Sequence, residues 1–293
     1  MSRAVRTLAT GLYFGEGPRW HDGRLWFSDF HARTVSSLGM DGTVRVELEL
    51  DDWPSGLGWM PDGSLLVVKM HAREVWRRWP DGRFALHADI RAHTAHLAND
   101  MVVDGQGRAY VGNFGFDLDG ELVARGPEAV LADHPTANIA CIAPDGSVSV
   151  AAEGMSFPNG MVITPDGKTL IAGETLGGRL TAFDLAADGT LSNRRIWAQT
   201  WPHIPDGICL DAEGAVWIAD PLAPQCVRIA QGGEVLEVVE TGGLNCFACM
   251  LGGEDGRDLF MMLAPTSVAE IAKREPLGTI AVARVDVARA GLP

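Results

Sequence analysis

The chain has 293 residues, 46% of them apolar, and its 38 acidic against 24 basic side chains leave a formal charge of −14. This balance excludes nucleic acid and anionic membrane surfaces as partners; it suits a neutral or cationic ligand, or a small anion where a metal locally reverses the field. No apolar run reaches the roughly 18 residues that a transmembrane helix needs.

The opening Met1-Ser2-Arg3-Ala4-Val5-Arg6 lacks the apolar stretch of a secretory signal. Five cysteines, an odd number, in a chain long enough to fold without staples read as reduced thiols. The expected compartment is therefore the cytoplasm. Cys246-Phe247-Ala248-Cys249 is a lone C-x-x-C without a second pair, and reads as buried structural thiols.

Along the chain one pattern recurs: an oxygen-bearing or small residue, usually Gly, an apolar strand, a Gly-containing turn, and a second apolar strand. Its copies begin at Glu16, Ser55, Asn99, Asn159, Asp206 and Phe247, with spacings of 39, 44, 60, 47 and 41 residues. In the first, Glu16-Gly17-Pro18-Arg19-Trp20 leads through His21-Asp22-Gly23 to Leu25-Trp26-Phe27. In the fourth, Asn159-Gly160-Met161-Val162-Ile163 leads through Pro165-Asp166-Gly167 to Leu170-Ile171-Ala172. Each copy but the last is followed by a second hairpin on a turn such as Met40-Asp41-Gly42-Thr43 or Pro80-Asp81-Gly82-Arg83.

A period of about 40–45 residues with several short strands per unit predicts an all-β, six-bladed β-propeller of four-stranded blades, one domain over residues 1–293. The sixth copy is followed only by the apolar run at 279–285, so its outer strand is expected from the unclaimed residues 3–8, closing the ring with both chain ends. The long interval carries an insertion at about 115–137 in the third blade, where Pro127-Glu128-Ala129-Val130-Leu131-Ala132 suits a short helix. An insertion of that size is a lid or a tolerated surface loop.

The residues heading the copies form one column: Glu16, Ser55, Asn99, Asn159, Asp206 and Phe247. In a propeller the innermost strands line the channel, so the column predicts a ring at one of its ends. Two carboxylates facing each other across a narrow channel repel unless something neutralises them. A divalent cation does so, and carboxylate and amide oxygens suit a hard one; with no Cys or His in the column, structural zinc is disfavoured. Polar capping of strand ends is the alternative. His31 and His71 follow second strands and face the channel mouth, Glu174 ends the equivalent strand in blade four, and His93 and His96 precede Asn99 on a connection. The tryptophans Trp20, Trp26, Trp59 and Trp217 read as inter-sheet packing. Ser156 lacks the setting of a hydrolase elbow, and no dinucleotide fingerprint is present.

Glu16-Gly17-Pro18, Asn99-Asp100, Phe157-Pro158-Asn159-Gly160-Met161 and Pro205-Asp206-Gly207 resemble, in the same order, the signature segments of the gluconolactonase and regucalcin (senescence marker protein) family. The resemblance implies a six-bladed propeller with one divalent metal held by Glu16, Asn159 and Asp206. Calcium is the expected ion, with zinc, manganese, magnesium and iron as alternatives. It also implies that Asn99 contacts substrate near the metal and that Asp206 is the general base. Where sugar-lactone hydrolysing members carry an Arg two residues before the Asn of the third blade, this chain has Leu97, followed by Ala98. With Phe247 in the ring, and His71 and His96 as further substrate contacts, the pocket is expected to be more apolar than one built for aldonolactones.

The expected activity is opening of a lactone by water at a carbonyl polarised by the channel cation. The alternatives are a metal-dependent propeller acting on another substrate, or a non-catalytic metal-binding one. A small-molecule lactone is the expected partner, and the chain is expected to be a monomer or a weak homo-oligomer.

Overall fold

The hairpin turns share one local device. In Met40-Asp41-Gly42-Thr43 the Asp41 carboxylate accepts the Thr43 amide at 3.0 Å; Asp62 accepts Ser64, Asp81 accepts Arg83 and Asp145 accepts Ser147 in the same way. The glycine between takes a left-handed conformation, φ 85° at Gly42, which a side chain disfavours. The Asp-Gly pairs of the repeat thereby fix where each hairpin reverses.

In the computed structural model, which describes residues 3–293, these hairpins assemble into six four-stranded antiparallel sheets arranged as the blades of a β-propeller. The inner strands are Gly15–His21, Pro54–Trp59, Ala98–Val103, Pro158–Ile163, Ile208–Leu210 and Asn245–Gly252. The outer strand of blade six is Val5–Leu12, paired with Gly278–Arg284 so that Val5 faces Ala283 and Thr10 faces Thr279. First and last segments thus share one sheet, as the repeat arithmetic requires.

Beyond Gly278–Arg284 the chain runs past the last residues of neighbouring inner strands. It bridges Arg289 to Asp211 of blade five and Leu292 to Ile163 of blade four, with Ile163 and Leu292 exchanging backbone hydrogen bonds at 2.8 and 2.9 Å. Nothing in the repeat pattern signals this strap.

Neighbouring inner strands pack backbone against backbone. A Cβ on Gly56 would lie 2.4 Å from the Met101 amide nitrogen, and one on Gly160 would lie 2.5 Å from that of Ile208. This close approach explains why glycine follows the ring residue in four of the six copies. Between blades the packing is aromatic and aliphatic. Trp20 stacks on Phe260 at 5.4 Å, Trp26 meets Trp59 edge-on at 5.3 Å, and Trp217 is buried beside Cys209, Cys246 and Cys249. The cysteines are all free thiols.

Between the second and third strands of blade three stand two helices, α1 (Leu118–Arg125) and α2 (Pro127–Ala132). Pro at the first helical position and the apolar Val130 made α2 legible. Helix α1, interrupted by Gly120 and burying no residue, starts at Asp117, whose carboxylate accepts the Gly120 amide at 3.1 Å. The equivalent connection of blade six carries the one-turn helix α3 (Ala269–Ala272). Among the described residues no helix is long and apolar enough to cross a membrane.

The close approach of inner strands gives a stability test. Gly56→Ala is expected to cost about 1–3 kcal/mol, the usual range for overpacking. Gly105→Ala, where an added Cβ meets nothing within 4 Å, is expected to stay within about 0.5 kcal/mol of the parent. Urea unfolding of both variants beside the parent measures the contrast.

Candidate functional site

The six column residues occupy one end of the channel, and all are buried. In five blades the inner strand breaks register at or beside the column residue: between Glu16 and Arg19, Pro54 and Leu57, Ala98 and Met101, Pro158 and Met161, and Cys246 and Ala248. Such bulges re-aim a side chain that a regular strand would point elsewhere. In blade five the regular strand starts only at Ile208, after Asp206.

The ring is joined by hydrogen bonds. Ser55 Oγ donates to Asn99 Oδ1 at 3.2 Å, and Asn99 Nδ2 donates to Asn159 Oδ1 at 3.0 Å. Asn159 Nδ2 donates to Asp206 Oδ1, and at 3.2 Å to Thr175 Oγ1. Among the described residues Glu16 accepts only the Gly17 amide, at 3.0 Å.

Burial raises the Glu16 carboxyl well above the ordinary carboxylate range, and the Asp206 charge raises it further. Asp206 is pushed up in the same direction by burial and by Asp100. Below the ring, Arg19 of blade one reaches across blade two. Its guanidinium donates to Asp100 Oδ1 at 2.6 Å, to Met101 O at 2.6 Å, to Leu57 O at 3.0 Å and to Pro18 O at 2.8 Å. That cation is therefore committed to Asp100. Among the described residues neither Glu16 nor Asp206 has a basic side chain at ion-pair distance.

Above the ring opens a cavity of about 250 Å³ whose floor includes Glu16, Asn99, Asn159 and Asp206. Its walls come from two further columns of the same repeat. One lies two residues before the ring residue: Phe14, Trp53, Leu97, Phe157 and Ile204 in blades one to five. The other directly follows the second strand: Phe30, Met70, Phe114, Thr175 and Pro221. In the first four blades the two columns are tied together, the amide of the second donating to the carbonyl of the first at 3.0 Å. In blade five Pro221 has no amide to give. The rings form a collar, with Phe14 4.8 Å from Phe247 and Phe114 4.4 Å from Phe157. Phe157 has φ +58°, a left-handed conformation that is strained for a bulky side chain. Apolar side chains of α1 and α2, among them Leu118, Leu122 and Val130, complete one side of the mouth.

Leu97 and Phe247 line this cavity. His71 stands outside the lining, half exposed, its Nδ1 2.8 Å from Asp52 and its ring edge-on to Trp53 at 4.6 Å. His96 is partly buried, also outside the lining, and His93 lies in the short turn Arg91–His93. His31 does line the cavity, and burial lowers its pKa. Glu174 is an anchor rather than a ligand group. It is fully buried, pairs with Arg179 and accepts the Ser156 amide at 2.7 Å. Burial opposes its charge, but Arg179 and that amide outweigh the penalty and hold its carboxyl below the usual range. Asp29 plays the same part in blade one, accepting the amides of Tyr13 and Phe14 at 2.9 and 3.1 Å.

The molecule is thus a six-bladed propeller with a cavity whose floor is lined by oxygen-bearing side chains and whose wall is an apolar collar. The chain belongs to the SMP-30/gluconolactonase/LRE-like family, whose model matches residues 14–265. It is 26% identical to regucalcin of Danio rerio over 269 residues, 89% of this chain and 87% of that one. It is 27% identical to the pentonolactonase XacC of Haloferax volcanii over 223 residues, 73% and 69% of the two chains. Among solved structures, a calcium-binding protein, regucalcin of Agrobacterium tumefaciens, superposes with a TM-score of 0.80 at 22% identity, covering 100% of this chain and 97% of that one. A gluconolactonase of Xanthomonas campestris superposes with a TM-score of 0.75 at 25% identity, covering 99% and 89%.

The paired carboxylates carry a pH signature in metal-free protein. Their folded pKa values lie above the unfolded ones. Their contribution is therefore present below the unfolded pKa and lost as pH rises through the folded values. Glu16→Gln removes one partner of the repulsion. In chelator-treated protein its melting temperature is expected to gain on the parent's as pH rises from about 5 to about 8. Paired thermal scans measure this; a difference that is flat with pH shows that the two carboxylates do not share a field.

Proposed function

We propose that the chain is a metal-dependent lactone hydrolase, with Glu16, Asn159 and Asp206 holding one divalent cation at the channel end. The carrying observation is the pair of buried carboxylates, Glu16 and Asp206, at the floor of a pocket, with no basic side chain at ion-pair distance among the described residues and Arg19 committed to Asp100. Two uncompensated buried charges are costly, and a divalent ion offsets them. The donors are carboxylate and amide oxygens, which suit Ca2+ first; Zn2+, Mn2+, Mg2+ and Fe2+ also accept such ligands. Family membership and the lactonase relatives support the reaction class.

When bound, the ion supplies Lewis-acid polarisation of the ester carbonyl, worth several kcal/mol of transition-state stabilisation. This chain's residues do the rest. Asp206 takes a proton from the attacking water as the water oxygen bonds to the carbonyl carbon. Asn99 has a second amide hydrogen, beyond the one given to Asn159, to offer the oxyanion. As the ring C–O bond breaks, Asp206 returns its proton to the departing alkoxide, giving a hydroxy acid. The collar keeps bulk water away from the floor.

Metal analysis of stripped and reloaded protein, with a lactone panel assayed in parallel, tests the whole reading. Glu16→Gln should bind the ion more weakly than the parent. Asp206→Asn keeps the shape and an oxygen but cannot take the proton. With metal at saturation its kcat should fall by about 10²-fold or more, while its melting temperature falls only slightly. Near-normal kcat in metal-loaded Asp206→Asn would remove Asp206 from the base role.

A further inference from the structure

We infer that the substrate of this site is a neutral cyclic ester carrying an apolar alkyl or aryl substituent, not a polyhydroxylated sugar lactone. The inference rests on the hydrolase reading for its chemistry, but the shape and polarity of the pocket carry the substituent.

The argument begins with the two wall columns. Of the ten positions they contribute in blades one to five, nine are apolar. The exception, Thr175, donates its hydroxyl to Pro205 O at 2.9 Å and accepts from Asn159, so little is left for a ligand. A sugar hydroxyl pressed against this collar leaves water without a replacement partner. Each such loss weakens binding between about fivefold and a hundredfold. At floor level the polar groups are already engaged with one another through the Ser55–Asn99–Asn159–Asp206 chain. Hydrogen-bonding capacity thus sits at the floor, where an ester group would lie, and above it is limited to a few groups such as His31, Asp119 and Ser267 among the apolar collar.

Charge narrows the class further. No Lys or Arg lines the cavity, while Glu16, Asp206 and, toward the mouth, Asp119 do. An anionic substituent such as a carboxylate or phosphate meets carboxylates there and no lysine or arginine among the described lining residues. Size sets the other limit. The cavity of about 250 Å³ lies just below the range of roughly 300–1,000 Å³ for drug-sized ligands. A single ring with a short chain or one aryl group fits that space. The substituent then runs up the collar toward Leu222, which lines the cavity and is 72% exposed, so a longer tail leaves over an apolar rim.

The test separates pocket from chemistry. Calorimetry on the full chain uses 6-alkyl-2-piperidones, lactams that keep the ring and carbonyl but resist hydrolysis, with hydrogen, propyl and pentyl substituents. Affinity is expected to rise about three- to fourfold per methylene until the collar is filled. The matching series of δ-valerolactone, δ-octalactone and δ-decalactone should show kcat/KM rising in the same order, with all substituted members above glucono-δ-lactone. Phe114→Ser should flatten both series. If it does not fold, the parent series decides alone. Lactam affinity flat with chain length, or a kcat/KM for gluconolactone above that of the alkyl lactones, overturns the inference; the second result would leave the hydrolase reading intact. Lactams that tighten with chain length while no lactone is opened would uphold the apolar pocket and sink the hydrolase reading.

Discussion

The site is organised by one electrostatic imbalance. Three carboxylates, Glu16, Asp100 and Asp206, are buried around one channel end, and a single guanidinium lies among them. Arg19 cannot serve all three. Its geometry decides which one it serves, because its remaining donors are fixed on the carbonyls of Pro18, Leu57 and Met101. It therefore staples blade one to blades two and three and pairs with Asp100, leaving Glu16 and Asp206 without an ion-pair partner among the described residues. Removing one partner of a buried pair costs about 3–5 kcal/mol, so Arg19 is not free to swing toward the ring. The residual charge at the ring is built into the packing of the blades.

That imbalance is maintained by the backbone. The bulges turn column side chains inward, the glycines beside them let inner strands approach closely, and Val5–Leu12 closes the ring in blade six. Loosening any of these widens the channel and lets water relieve the repulsion. The C-terminal strap joins blades four, five and six where their inner strands finish, a second tie besides the shared sheet of blade six. The collar depends on the same scaffold. Asp29 and Glu174, each at the end of a second strand, hold the loops that present Phe14 and Phe157.

Much of this was legible in the sequence, because a repeat makes equivalent positions visible without any partner information. The six copies, the closing strand, the insertion and α2 all follow from period and turn chemistry. The ring column was found by aligning copies at one position. The collar was equally accessible, since Phe14, Trp53, Leu97, Phe157 and Ile204 stand two places earlier in the same alignment. Apolar residues beside strands carry the same signal as ordinary core, so apart from Leu97 nothing in these positions marks them as cavity wall. Arg19–Asp100 was out of reach for another reason. The pair is 81 residues apart and joins different positions of two repeats, so no column contains it. Bulges, the strap and the short helix α1 leave no periodic trace either. Glu174 carried a visible signal, a carboxylate at a strand end, but not the information that Arg179 and the Ser156 amide would claim it.

Ring and collar thus use different positions of one repeat, and this separation has a consequence for how such a site can vary. In five blades the ring position sits at or beside a bulge, and Ser55, Asn99, Asn159 and Asp206 are hydrogen-bonded to one another from blade to blade. Changing a ring position disturbs charge, hydrogen bonding and packing together. In the first four blades a collar position contributes mainly its side chain, because its backbone hydrogen bond, as from Phe30 to Phe14 or from Phe114 to Leu97, is made by main-chain atoms. Substitution in the collar alters volume and polarity over the cavity without touching the ladder. The fold can therefore carry different collars over one charged floor, and Leu97 is among the apolar side chains that this chain places there.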